Sequence, residues 1–137
     1  MVEQMEYNVR VERTDSLHVN ASARDFEIQL GAKRADPTAG FNPVEALLSS
    51  MGACLLTAIS FVAEASHIPL TGARIELEAM RQDRPPILTQ IRYMLHLKSD
   101  APPEQLDHLV DLAKRNSTVF QTMSLAVSVE GNWTAEP

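Results

Sequence analysis

The chain has 137 residues, 45% of them hydrophobic and 22% charged, with a formal net charge of −6, a size and balance that fit one folded domain over residues 1–137. An acidic chain without a Lys/Arg run lacks the basic surface that displaces counterions from phosphates or meets anionic lipid, which excludes nucleic-acid and membrane-surface roles. Its single cysteine excludes an intrachain disulfide and any multi-cysteine zinc site.

The N-terminus, MVEQMEYNVR, has neither an apolar core nor a cleavage-like site, so it does not read as a signal peptide. Tyr7, Val9 and Val11 alternate with Asn8, Arg10 and Glu12, the period of a half-buried strand. Thr14-Asp15-Ser16 is turn chemistry, and Leu17–Ala21 and Phe26–Leu30 read as two further strands of a meander. The Gly, Pro and Asp content of residues 31–41 predicts a loop.

The strongest local signal follows. Asn42-Pro43-Val44-Glu45 reads as a helix start, with Asn as N-cap, Pro at the first helical position and Glu at the third. Leu47, Leu48, Met51, Leu55, Ala58, Ile59 and Val62 then recur at helical spacing, and Ser49, Ser50, Gly52, Ala53, Cys54 and Thr57 keep the other sides small. A helix with so little polar face is buried from most directions, which in a short chain points to burial by a second subunit as well. Its mostly apolar stretch, Met51–Ala65, is about 15 residues, short of the roughly 20 of a membrane span. The expected location is therefore cytoplasmic, where the Asn-x-Ser/Thr sequons at Asn20, Asn116 and Asn132 carry no glycan.

The helix should end near Ser66-His67-Ile68-Pro69. Ile75, Leu77 and Ala79 then alternate with charged residues. After Arg84-Pro85-Pro86, Ile91, Tyr93, Leu95 and Leu97 alternate with Arg92, Met94, His96 and Lys98, which predicts a hairpin with a longish connection. A second helix starts near Pro102-Pro103, with Leu106, Leu109, Val110 and Ala113 on one face. Residues Asn116–Met123 read as its end or as a further short helix, and Leu125, Val127 and Val129 as a last strand. The expected order, β-β-β-α-β-β-α-β, is that of an α+β domain.

No Gly-rich phosphate loop is present, and His18, His67, His96 and His108 are scattered without ligand spacing, so no metal or nucleotide cofactor is expected. Cys54 is the candidate reactive group, against the alternative of a small core residue. A reactive thiol needs a nearby cation or a helix N-terminus to lower its pKa. Cys54 lies about twelve residues into its own helix, beyond the reach of that helix's dipole, so an arginine from elsewhere is expected, with Arg10, Arg13 and Arg24 as candidates. Glu45 is first of all a capping residue. Nine positions before Cys54, it stands about 13.5 Å away along the helix axis and reaches a reactive site only through an arginine or across a dimer.

The run Asn42-Pro43-Val44-Glu45-Ala46-Leu47-Leu48 followed by Gly52-Ala53-Cys54 resembles the NPEELLxxxxxAC signature of the OsmC/Ohr family, with the same Asn-to-Cys spacing of twelve. The likeness continues through Ile68-Pro69-Leu70-Thr71-Gly72 and covers roughly residues 28–131. The resemblance implies an intertwined homodimer, two central helices wrapped by sheets, and thiol-dependent reduction of organic hydroperoxides. It implies that Cys54 attacks the peroxide, aided by an N-terminal arginine, here Arg13, and a helix-start glutamate, here Glu45. The departures are specific. Ser117 stands where the family carries a second cysteine, better-studied members carry glutamate at the position of Val44, and the local motif around the arginine is absent.

Two functions follow as expectations. One is a hydroperoxide reductase in which Cys54 works alone and an external thiol or dithiol serves as reductant. The other is a non-catalytic dimer that binds a hydrophobic small molecule at the subunit interface.

Overall fold

A computed structural model describes residues 4–34 and 36–137; Met1, Val2 and Glu3 of the N-terminal segment and Ala35 of the expected loop lie outside the described residues. The chain divides into two compact units, one up to Leu47 and one from Leu48 to Pro137.

The first unit is an antiparallel meander of β1 (Arg10–Arg13), β2 (His18–Ala23) and β3 (Phe26–Gly31), in the order β1-β2-β3. The expected strands are present with shifted ends: Tyr7 and Val9 precede β1, and β2 starts one residue later than the alternation suggested. The turn before β2 is held by Asp15, whose Oδ1 accepts from the Leu17 N–H at 2.7 Å and meets His18 Nδ1 at 2.9 Å. Within the loop, Pro37–Ala39 form a 3-10 turn capped by Asp36, whose Oδ1 accepts from the Thr38 N–H.

Helix α1 (Pro43–Ala65) begins in this unit and runs into the next. Its start is the expected capping box: the Asn42 Oδ1 accepts from the Glu45 N–H at 2.8 Å, and the Glu45 Oε1 accepts from the Asn42 N–H at 2.9 Å. The helix is longer than its mostly apolar stretch suggested. At 23 residues, with an 18-residue window of mean hydropathy 1.9, it meets the length and apolarity of a membrane-crossing segment, but Met51, Leu55, Ala58, Ile59, Val62 and Ala63 belong to the buried core of the second unit.

That core sits on one face of a three-stranded sheet, order β4-β5-β6: β4 (Gly72–Asp83), β5 (Pro86–Lys98) and β6 (Ser128–Glu136). On β5, Ile91, Tyr93, Leu95 and Leu97 are buried, and their register partners Ala79, Leu77, Ile75 and Ala73 on β4 pack beside them. The other face is charged, with Glu76 Oε1 2.7 Å from His96 Nε2 and Glu78 Oε1 3.8 Å from Arg92 Nη1. The longish hairpin connection gives way to a tight turn, since β4 ends at Asp83 and β5 starts at Pro86.

Strands β5 and β6 are parallel. Parallel neighbours need a crossover, and the chain supplies it with α2 (Pro103–Arg115) and α3 (Thr118–Ala126). Leu106, Leu109, Val110 and Ala113 form the buried face of α2, as their spacing predicted. Residues after Asn116 form a separate helix, which takes up Leu125; that side chain is 92% exposed rather than the first inward residue of the last strand. The full order is β-β-β-α-β-β-α-α-β.

Two glycines set close approaches. A Cβ on Gly52 would stand 3.1 Å from both Ile75 Cγ2 and Leu77 Cδ1, so its absence lets α1 lie low on β4. A Cβ on Gly131, opposite Tyr93 in the β5–β6 register, would run into the Tyr93 ring and carbonyl oxygen. Gly131→Ala is expected to destabilise the protein by about 1–3 kcal/mol, as overpacking does, and Asn42→Ala by about 1 kcal/mol through loss of the cap. Urea denaturation followed by circular dichroism checks both; an unchanged midpoint for Gly131→Ala would contradict the close strand approach.

Candidate functional site

Cys54 is half-buried on α1, two residues after the glycine that brings this helix onto β4. The turn of chain that meets its sulfur is the start of α3. Ser117 is the N-cap of that helix, with extended backbone (φ −98°, ψ 103°), and its carbonyl accepts the first helical bond, from the Gln121 N–H at 2.9 Å. Thr118, Val119 and Phe120 are then its first three helical residues, and their N–H groups have no intrahelical acceptor.

A serine at an N-cap ordinarily accepts from the second or third of these amides. Ser117 does not: its side chain makes no capping bond. The groups that act on the Cys54 thiol are the Ser117 hydroxyl and the amides of Val119, Phe120 and Thr118. The sulfur thus lies at the N-terminus of α3. Burial pushes the Cys54 thiol up, but the Ser117 hydroxyl and the three amides pull it down further, and the balance falls below the ordinary thiol value. Donors aimed at the sulfur favour the thiolate, and a helix N-terminus stabilises an anion there.

The start of α3 is held in place from the sheet. Phe120 is buried and meets Tyr93 of β5 edge-on, with ring centroids 5.6 Å apart and planes at 81°, and Lys114 Nζ stands 5.9 Å from the Phe120 ring centroid on another side. Tyr93 in turn lies over Gly131 of β6. Gln121 reaches back with Nε2 to the Lys114 carbonyl at 3.0 Å, which ties α3 to the end of α2.

The other expected site residues fall differently. Ser117, singled out as the position of the family's second cysteine, is fully buried beside Cys54. Arg13 is exposed on β1, paired in register with Val19, and Glu45 is in the capping box; both belong to the first unit. The sequence reading looked to a guanidinium alone to lower the thiol pKa. The Cys54 helix cannot do so, but a second helix, α3, points its N-terminus at the sulfur. The amides of residues 118–120 were missed because the sequence reading searched for cationic side chains. The available signal was Asn116-Ser117-Thr118, an N-cap pattern opening a short helix. Among the described residues no group of three or more His, Cys, Asp or Glu side chains is placed to hold a metal.

The pH dependence follows from the direction of the shift. A lowered pKa enlarges the thiolate fraction at neutral pH, so alkylation of Cys54 is expected to have its midpoint below the ~8.5 of a free thiol. Thr118→Pro removes one of the three amides at the first helical position, where proline is tolerated and where Ser117 already has the extended backbone that precedes proline. This variant should keep the helix and raise the midpoint. A midpoint at or above the free-thiol value in the parent protein would show that the α3 amides do not govern the sulfur.

Comparison with known proteins agrees with this fold. Residues 33–132 match the family model described as OsmC-like protein. The hydroperoxide reductase of Mycoplasma genitalium is 24% identical over 121 residues, covering 85% of this chain and 86% of that protein. The crystal structure of the OsmC-like protein from Mycoplasma pneumoniae superposes with a TM-score of 0.89 at 19% identity, covering 98% of this chain and all of the other. The organic hydroperoxide resistance protein OhrB of Bacillus subtilis superposes with a TM-score of 0.67 at 16% identity, over 95% of this chain and 98% of that one. The fold and the match over most of its length place this α+β chain in the OsmC-like protein family.

Proposed function

We propose that the protein reduces organic hydroperoxides at the expense of thiols, with Cys54 as its sole redox-active residue. One observation carries the reading: the Cys54 sulfur lies at the N-terminus of α3, whose amides, with the Ser117 hydroxyl, hold the thiol below its ordinary pKa. A structural core cysteine has no need of such donors, and this separates the reading from a non-catalytic binder of hydrophobic molecules. The names of the Mycoplasma genitalium and Bacillus subtilis relatives support peroxide chemistry in the family.

The thiolate attacks the outer oxygen of the peroxide. An S–O bond forms, the O–O bond breaks, the sulfur loses two electrons, and the alkoxide leaves as alcohol after taking up the peroxide proton. Cys54 becomes a sulfenate. With no second cysteine in the chain, an external thiol condenses with it, its sulfur bonding to Sγ as the oxygen departs as water. A second thiol equivalent, or the second arm of a dithiol, attacks this mixed disulfide and restores the thiolate. In this proposal Arg13 pairs with the thiolate and Glu45 orients that arginine within a homodimer whose two central helices are wrapped by the sheets. A small organic hydroperoxide enters beside Cys54. A cytoplasmic location would supply the reducing thiols, and no resident cofactor is required.

A steady-state assay with cumene hydroperoxide and dithiothreitol, glutathione or dihydrolipoamide tests the reading. Turnover is expected with at least one donor and is expected to fall to the uncatalysed rate in Cys54→Ser. Arg13→Ala and Glu45→Gln, the latter able to keep the cap, should each lower kcat/KM roughly tenfold if charged hydrogen bonds are lost. No turnover with any donor, or an unchanged rate in Cys54→Ser, defeats the proposal.

A further inference from the structure

Ser117 carries a polar atom in an unusual position. The residue is fully buried, yet its Oγ makes no hydrogen bond of regular geometry. Buried hydroxyls are nearly always paired, because an unpaired one costs the desolvation of the group without return. The hydroxyl is not used as a cap, and Cys54 lies at the same helix start. It is therefore a donor that faces a nucleophilic sulfur and lacks an acceptor at hydrogen-bond geometry.

We propose that Ser117 Oγ–H is the donor for the oxygen that Cys54 receives: it holds the sulfenate oxygen while the amides of Thr118, Val119 and Phe120 hold the sulfur. The inference rests on the proposed peroxide reaction and adds to it a device that fixes the fate of the product. The oxygen transferred to Sγ becomes the acceptor that the hydroxyl lacks in the resting enzyme. A hydrogen bond donated to a sulfenate draws electron density from its oxygen and sulfur. The anion then becomes a poorer nucleophile toward a second peroxide molecule, the reaction that forms a second S–O bond, releases a second alcohol and yields the sulfinate. The same bond assists departure of the oxygen as water when a thiol attacks the sulfur. A serine here thus steers a lone cysteine toward reduction and away from irreversible oxidation.

Intact-mass spectrometry of the purified protein tests this. Wild type and Ser117→Ala are exposed to graded hydrogen peroxide, and the +16 and +32 Da forms of Cys54 are quantified, with 1,3-diketone trapping to confirm the sulfenate. The sulfinate form in Ser117→Ala is expected to half-saturate at about tenfold lower peroxide, the effect of one lost charge-assisted hydrogen bond. Ser117→Cys is a near-isosteric second variant whose folding is little perturbed. One equivalent of peroxide should convert it to a species 2 Da lighter, because a thiol at this position reaches the oxidised sulfur. Equal peroxide dependence of the +32 Da form in wild type and Ser117→Ala overturns the inference, and so does a Ser117→Cys protein that holds its +16 Da form without losing 2 Da. The reductase reading fails separately, on an absence of thiol-supported turnover of organic hydroperoxide, because excess hydrogen peroxide oxidises Cys54 whether or not the enzyme uses organic peroxides.

Discussion

The start of α3 against the Cys54 sulfur is the contact on which the rest of the second unit turns. Three N–H groups that a helix leaves without internal partners need acceptors, and a half-buried thiol needs donors if it is to ionise. The two meet at the start of α3. The serine placed to cap the helix is released from that task and left facing the sulfur. Burial by itself pushes the thiol toward an inert, protonated state, and this contact opposes it.

Much of the surrounding packing bears on the precision of that contact. Gly52 lets α1 settle onto β4 two residues before Cys54, and Gly131 leaves room for the Tyr93 ring, which Phe120 meets edge-on. The parallel pairing of β5 with β6 obliges the chain to cross over, and the crossover is made of α2 and α3. The helix whose first turn meets the sulfur is thus a topological requirement of the sheet, adapted to a chemical use.

The electrostatic logic also differs from one built on side-chain charge. A net charge of −6 leaves few cations to spare, while backbone amides carry no formal charge, do not titrate, and are fixed in direction by the helix. Their hold on a thiolate does not depend on long side chains that are free to swing into water. The chain has no second thiol to stand beside Ser117.

A large part of the fold was legible in the sequence because its signals are local. The capping box at Asn42 and Glu45, the 3.6-residue spacing through Val62, the buried face of α2 and the alternation along β4 and β5 each follow from contacts within a few residues. Boundaries were read less well where neighbouring signals overlap. Leu125 continues an apolar alternation with Val127 and Val129, yet it sits in the last turn of α3. Asp83 and Pro86 close a tight turn where the prolines suggested a longer connection.

The candidate site divides along the same line. Cys54 and Ser117 could be singled out from residue type and motif. Their juxtaposition across sixty-three positions of chain was decided by the crossover between β5 and β6, which no local period encodes. The donors to the sulfur were hidden for a further reason. Every residue but proline has an N–H, so a backbone amide leaves no mark in a sequence, and only tertiary structure determines which three of them point at a sulfur. The chain by itself determined the helices, the strands and the lone thiol; the tertiary structure alone decided what that thiol faces, because hydrogen-bond direction is a property of the folded backbone rather than of residue identity.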